Sequence, residues 1–383
     1  MLSLRKASSV KIMAMLLCIS LLVVVAGCAK TPAASSTIRV GFSAPLTGSY
    51  AQAGQDMVNG AQMAIDENNA AGGVLGKKLQ LVAEDDGGDP TMAVQAANKL
   101  VSENVDAVEG YYSSGACNPC LPILAKAGLP VVLDAVAATI LTHEGYTNIV
   151  RIQGYNAQQG QTMADFIANK LKANRVAIIQ DGTASPREQA EVAATNLKTM
   201  NPNVQILTDQ ITPGEKDFSS TVTKIKGFNP DAVLFTGFYA EGSLLLKQLR
   251  DQGVKCQFIA GDGDGDPAFI QVAGADAEGV VMTTPPMTNS IPAAADFIQK
   301  YKSRFNVAPG AYAVYAYDGV NLLADAIKRA NTTDKAAVIA ALRSTKDFKA
   351  ITGDISFDQN GDLTHSGYVL VQIKNGQFVP YNG

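Results

Sequence analysis

The chain has 383 residues, 47% of them hydrophobic and 17% charged, a balance of globular proteins that excludes a disordered chain. That length exceeds what one core usually serves, so two lobes are expected. The formal charge is −4; three of the 31 basic residues and none of the 35 acidic ones fall in the first 27 positions, so the remainder carries −7 without a long basic run, which argues against a nucleic-acid or anionic-membrane surface.

Residues 1–27 read as a signal peptide. Arg5, Lys6 and Lys11 form a positive start, and an apolar stretch follows from Ile12 to Val25. At about 14 residues it is shorter than the ~20 that span a bilayer. Val25-Ala26-Gly27-Cys28 then resembles a lipobox, in which Cys28 becomes the lipid-modified first residue of the mature chain. The stretch from Cys28 to Thr37 reads as lipidated cysteine plus flexible tether. The body is therefore expected outside the cytoplasm, anchored to a membrane by lipid alone. Three cysteines remain, Cys117, Cys120 and Cys256, too few for a disulfide framework. Cys117-Asn118-Pro119-Cys120 has redox spacing without a thioredoxin-like context, so a local bridge or two packed thiols is expected.

The body alternates short β-rich runs with amphipathic helical stretches, the pattern of parallel sheets covered by helices. Ile38–Ser43 is a predicted strand, followed by a helix burying Met57, Ala61, Ala64 and Ile65 and stopping at Gly72-Gly73. Leu79–Glu84 is a strand, and Asp89-Pro90 caps a helix that buries Ala93, Ala97, Leu100 and Val101. Strands Ala107–Glu109 and Pro130–Leu133 flank a helix from Cys117 to Ala127. A second block runs through helix Gln158–Lys170, strand Val176–Gln180, helix Pro186–Met200, strand Val204–Thr208, helix Asp217–Lys226, strand Ala232–Phe235, helix Tyr239–Asp251 and strand Gln257–Ala260. Helices Ala293–Phe305 and Tyr315–Ala330, then strands Asp354–Phe357 and Tyr368–Ile373 around a turn at Asn360-Gly361, return to complete the two lobes.

Catalytic motifs are missing from the sequence. The two histidines, His143 and His365, have no metal-ligand spacing, and no GxSxG, Walker loop or post-strand GxGxxG occurs. Two loops carry other chemistry. Tyr111–Ala116 (YYSSGA) lies between a strand and a helix, where N–H groups and the hydroxyls of Ser113 and Ser114 would cradle a carboxylate, or where a serine simply caps a turn. Gly261–Asp266 (GDGDGD) follows a strand, at the edge where open α/β sheets bind ligands. It reads as a calcium loop lacking its closing Glu (Ala273 stands there), as a solvated acidic turn, or as one carboxylate facing a cleft.

These features together resemble the leucine/isoleucine/valine-binding proteins of ABC importers, with the type I periplasmic-binding fold. The resemblance rests on Val40–Gly54 (VGFSAPLTGSYAQAG), Gly60-Ala61, Asn68–Lys78 (NNAAGGVLGKK), Asp85–Pro90, Gly214–Ser219 (GEKDFS) and Tyr315–Ala330. It implies two Rossmann-like α/β lobes joined by a three-stranded hinge. Lobe 1 is 38–152 plus 285–350, lobe 2 is 153–284 plus 351–383, and the crossings lie near Arg151–Gly154, Thr284–Pro286 and Ile351–Asp354. It further implies a solute binder rather than an enzyme, no cofactor or metal, ABC permease and ATPase partners, and a monomer. By resemblance Ser114, beside Ser113, holds the ligand carboxylate, Ala135 offers backbone groups, Asp262 accepts the ligand ammonium, and Tyr112, Phe238 and Tyr312 form the walls. The chain departs from the family at Ala137, where a threonine is usual, at Ser185, where a tyrosine is usual, and at Ala53, a wall position often aromatic. The implied solute is a branched-chain or related amino acid; an aromatic or amide solute, or a sensing module of the same fold, are the alternatives.

Overall fold

Strand β1 (Thr37–Ala44) is buried over most of its length and is the centre from which the first sheet grows. The computed structural model describes residues 37–364 and 367–382; the leader, Cys28 and His365 lie outside them. Thr37, expected to end the tether, is already the first residue of β1, because it pairs with Lys78. Beside β1 stand β2 (Lys78–Asp85), β3 (Ala107–Gly110), β4 (Val131–Leu133) and β5 (Ile149–Arg151), all parallel, in the order β2-β1-β3-β4-β5. Alternate residues serve opposite faces: Ala107 and Val132 join one core, Val108 and Val131 the other. The helices of this block are α1 (Ala51–Ala70), α2 (Pro90–Ser102), α3 (Ser114–Cys117), α4 (Leu121–Lys126) and α5 (Ile140–His143). The Asp89 carboxylate caps α2 by accepting from the N–H groups of Thr91 and Met92, with Pro90 in the first turn, as its sequence predicts.

The second block builds a seven-stranded sheet in the order β14-β13-β10-β9-β8-β6-β7. Its parallel part is β6 (Arg175–Gln180), β7 (Gln205–Gln210), β8 (Ala232–Thr236), β9 (Gln257–Ala260) and β10 (Val281–Thr284). Helices α6 (Asn156–Asp165), α7 (Ala184–Met200), α8 (Ser219–Phe228), α9 (Tyr239–Asp251) and α10 (Pro267–Ala273) connect them.

After β10 the chain returns to the first sheet as α11 (Ala295–Phe305), α12 (Ala313–Ala330) and α13 (Lys335–Arg343), with α12 lying along α1. A two-stranded sheet, β11 (Phe348–Ala350) and β12 (Gly353–Ile355), follows. Then β13 (Val369–Lys374) and β14 (Gln377–Pro380) add an antiparallel edge to the second sheet. Two expectations change here. The strands at residues 354 and 368 do not pair with each other: the first closes a hairpin with β11, and the second joins β10. The third crossing, expected at Ile351–Asp354, comes after Leu363, because Arg151 on β5 donates its N–H to the Gly361 carbonyl (2.8 Å) and its side chain to Asp362.

Gly60 sets the α1–α12 contact, since a Cβ there would stand 2.0 Å from the Ala313 carbonyl oxygen. Gly60→Ala would gain about 1 kcal/mol of helix propensity but force the two helices apart, and overpacking of this kind costs ~1–3 kcal/mol or more. The expected result is a lower urea midpoint at unchanged slope. A midpoint at or above that of the parent would show that the contact yields freely.

Candidate functional site

Loops from the carboxyl edges of both sheets meet across a narrow gap, the place where open α/β sheets bind ligands. From the first sheet come the turn after β3 and the loop after β4. From the second come the turns after β8 and β9 and the first turns of α7. Tyr312, immediately before α12, closes the side. The backbone after β3 is strained: Tyr111 takes a left-handed φ of 70° directly before Tyr112. The cavity at the centre is lined by Tyr112, Ser114, Ala135, Ala137, Ser185, Pro186, Gln189, Gly237, Phe238, Asp262, Gly263 and Tyr312. Of the nine residues expected at the site, the structure brings eight together there. Ser113 is the exception: it is buried, but its side chain is not among the walls, because it falls between Tyr112 and Ser114 on an extended turn whose alternate residues face the cavity.

Asp262 is the carboxylate of this lining, 7% exposed. Its Oδ1 accepts from Gln189 Nε2 at 3.1 Å and its Oδ2 from the Tyr312 hydroxyl at 3.2 Å. Burial pushes its pKa up, and the donors Gln159, Gln189 and Tyr312 pull part of that back. Across the gap, Ser114 Oγ accepts from the Ala138 N–H at 3.2 Å, which leaves its hydroxyl proton to donate. The three aspartates of the GDGDGD loop diverge. Asp262 faces the cavity, Asp264 packs inward against Gly242, and Asp266 caps α10 through the Ala268 N–H at 2.8 Å.

Several residues here were invisible in the sequence. Gln189 lies one turn after Ser185 on α7, and its amide is within 3.4 Å of four acceptors: Asp262, Gln159 Oε1 (2.7 Å), Asn156 Oδ1 (3.1 Å) and Ser185 Oγ. Gln159 in turn donates to the Thr283 carbonyl at 2.8 Å, so the Asp262 carboxylate is wired to the strand that enters the second crossing. Tyr50 packs its tilted ring behind two wall residues, Phe238 (centroids 4.9 Å apart) and Tyr112 (5.8 Å). The only available hint was its place one helical turn before position 53.

The two halves are drawn together. Hydroxyls bridge from Tyr50 to Glu241 (3.3 Å), Tyr112 to the Gly263 carbonyl (3.3 Å), Tyr239 to the Ser49 carbonyl (2.9 Å) and Tyr312 to Asp262, and the Thr139 N–H reaches Glu188 at 3.0 Å. In this arrangement the cavity measures about 20 Å³, room for about one water. A solute of amino-acid size enters only as the lobes part or the tyrosines turn. A larger groove of about 480 Å³ runs between Pro267, Ile298, Pro309 and Phe378, but Lys302 is the one ionisable group of its lining, so it offers no carboxylate to a cation.

Residues 37–377 match the family described as periplasmic binding protein. The chain belongs to that family. It is 35% identical over 359 residues to a Leu/Ile/Val-binding protein of Rhizobium johnstonii, covering 93% of this chain and 96% of that one. Among solved structures, a leucine-binding protein of Thermotoga maritima superposes with a TM-score of 0.84 at 28% identity, covering 90% and 97% of the two chains. The branched-chain amino acid transporter substrate-binding protein of Streptococcus pneumoniae, solved with isoleucine, gives 0.81 at 28%, covering 89% and 97%. As a periplasmic binding protein the chain is an extracytoplasmic solute binder and not an enzyme. Its CxxC agrees: Cys117 and Cys120 are free, fully buried thiols, and burial pushes Cys117 well up and Cys120 to about 12, far from the thiolate that redox chemistry needs.

Proposed function

We propose that this binding protein closes around an amino acid, branched-chain or related, and presents the closed form to an ABC permease. The observation that carries the reading is the pairing of opposite chemistries on opposite lobes, with Ser114 at a helix start on one and the buried Asp262 carboxylate on the other. A zwitterion leaving water needs a fixed partner for each charge. Ser114 and the N–H groups of its turn serve the ligand carboxylate, and Asp262, with the Ala135 backbone, serves the ammonium. Charge-assisted bonds of this kind contribute ~1.5–3 kcal/mol each. Tyr112, Phe238 and Tyr312 shield the apolar part, with Ala137 and Ser185 completing the walls. A ligand touching both lobes favours the closed state by its differential affinity for it. We further assign Cys28 as the lipid anchor, and the working form as a monomer.

Calorimetry with leucine, isoleucine and valine tests the reading. The expected result is affinity around micromolar, ~8 kcal/mol, with melting raised by the same solutes. A thermal-shift panel of amino acids, aromatic acids and amides in which no amino acid shifts the transition would overturn it.

A further inference from the structure

Beneath the first lobe's half of the site lie two carboxyls that the solute-binding reading does not use. Glu109 on β3 and Asp134 just after β4 are both completely buried. Glu109 pairs in register with Val132, so by the two-residue period of a strand Glu109, Val132 and Asp134 share one face, the one α12 covers. Gly319 on α12 makes the room, since a Cβ there would come within 2.5 Å of Glu109 Oε1. The two carboxyls are close enough for each to perturb the other's protonation, and none of their four oxygens has a hydrogen-bond partner in the structure. Two carboxylates cannot bond to one another, and two buried negative charges at contact repel strongly. A carboxylic acid donating to a carboxylate satisfies both constraints.

The position gives the pair its consequence. Tyr112 and Ser114 follow Glu109 within five residues, and Ala135 and Ala137 follow Asp134 within three. The two loops are otherwise tied only lightly, by the Asp134 N–H to the Gly110 carbonyl at 3.4 Å and by the Ala138 N–H to Ser114 Oγ at 3.2 Å.

We propose that Glu109 and Asp134 are a positioning pair for the solute site: a proton shared between their carboxyls clips the end of β3 to the end of β4 and so fixes the two loops that form the first lobe's half of the cavity.

The other ionisable groups on the elements around the pair are already engaged or neutral. Arg151 on β5 is held by Asp362, Asp86 after β2 by Ser43 and the Gly88 N–H, and Asp318 on α12 by the N–H groups of Ile351 and Thr352. Cys117 on α3 and Tyr315 on α12 are kept protonated by burial, and the Arg39 of β1 lies at its far end, paired with Glu103. Burial first, then the neighbouring carboxyl, holds Glu109 well above the carboxylate range, and burial raises Asp134 likewise. The unfolded chain releases these protons near pH ~4. Between there and the raised values the folded state binds more protons, so folding stability falls as pH rises.

Glu109→Gln keeps the shape and supplies an N–H to Asp134 without a titrating proton; Asp134→Asn does the same from the other side. Melting of parent and both variants, without solute, is followed from pH ~5 to ~9. The expected result is a gap that opens with pH, the variants melting no higher than the parent at the acid end and above it at the alkaline end. Leucine calorimetry then asks whether the sites diverge, an arm that rests on the amino-acid reading above. The parent should lose about tenfold in affinity between pH ~6 and ~8.5 relative to Glu109→Gln, one pH unit of linkage. Glu109→Ala, which has no donor, should bind weakly throughout. Parallel melting curves would overturn the shared proton, and parallel leucine profiles with Glu109→Ala binding normally would overturn the positioning role. Diverging melting curves with no leucine heat in any protein would leave the proton pair standing and remove the amino-acid reading instead.

Discussion

Replacing Asp262 by alanine should all but abolish amino-acid binding while leaving the fold intact. Truncating one partner of a buried, hydrogen-bonded charge pair costs ~2–5 kcal/mol, so calorimetry with leucine should show a loss of about 30-fold to several thousand-fold. Nothing else in the cavity lining is placed to compensate, because its remaining polar side chains are neutral: Ser114, Ser185, Gln189 and the tyrosines. The protein itself should not suffer. Asp262 is a buried acid whose charge also acts against Asp264, so its removal relieves the interior and melting should hold or rise. The same reasoning gives a pH signature in the parent. Only the ionised carboxylate pairs with an ammonium, and burial has raised its pKa. Affinity is therefore present above that raised value and lost as pH falls through it, starting at higher pH than for an ordinary aspartate near 3.9. Unchanged leucine affinity in Asp262→Ala would take Asp262 out of the site.

The parts of the molecule that follow local rules were readable before any coordinates. Tyr239–Asp251 and Gln257–Ala260 have in the structure the bounds their patterns predict, because each is a periodic apolar run with a clear stop. Pro-capped α2 begins where Asp89-Pro90 says it must. Other elements depend on partners distant in sequence. β5 is three residues long, and only its neighbour β4 makes it a strand. Helix α13 and strand β14 carry modest local signals and are held by α12 and β13 respectively. The site divides in the same way. Ser113 apart, the strand-end loop residues expected at the site line the cavity, because their place in the family pattern fixes their place in the fold. Gln189, Gln159 and Tyr50 are not legible in that way, because their role is set by which amide reaches Asp262 and which ring fills the space beside Phe238.

Arg151→Ala should be the most damaging single change to the fold. The guanidinium is completely buried and donates to Asp362 Oδ1 from Nε (2.9 Å) and Nη2 (2.6 Å), to the Ala138 carbonyl (2.7 Å) and to Thr142 Oγ1 (3.0 Å). Asp362 also accepts from Thr142 (2.9 Å), with the His143 ring at 3.0 Å. Building such a pair contributes little net stability, since both charges lose their water. Breaking it is different, because the partner stays behind without its counter-charge, at ~3–5 kcal/mol. Three segments would loosen together: the end of β5, the loop that carries Ala135 and Ala137 into the cavity, and the stretch through Asp362 that leads to the third crossing. The expected result is a lower urea midpoint and, in the fraction that remains folded, weaker leucine binding even though Arg151 does not line the cavity. Arg151→Lys should recover only part of the loss, because an ammonium cannot span Asp362 and the Ala138 carbonyl with the planar fork of a guanidinium. Removing both charges with Arg151→Met and Asp362→Leu should cost less than Arg151→Ala alone, since no buried charge is then stranded. A double variant as unstable as the sum of its parts would show that the two residues act independently, and the ion pair would no longer explain why the chain stays against β5 before it crosses.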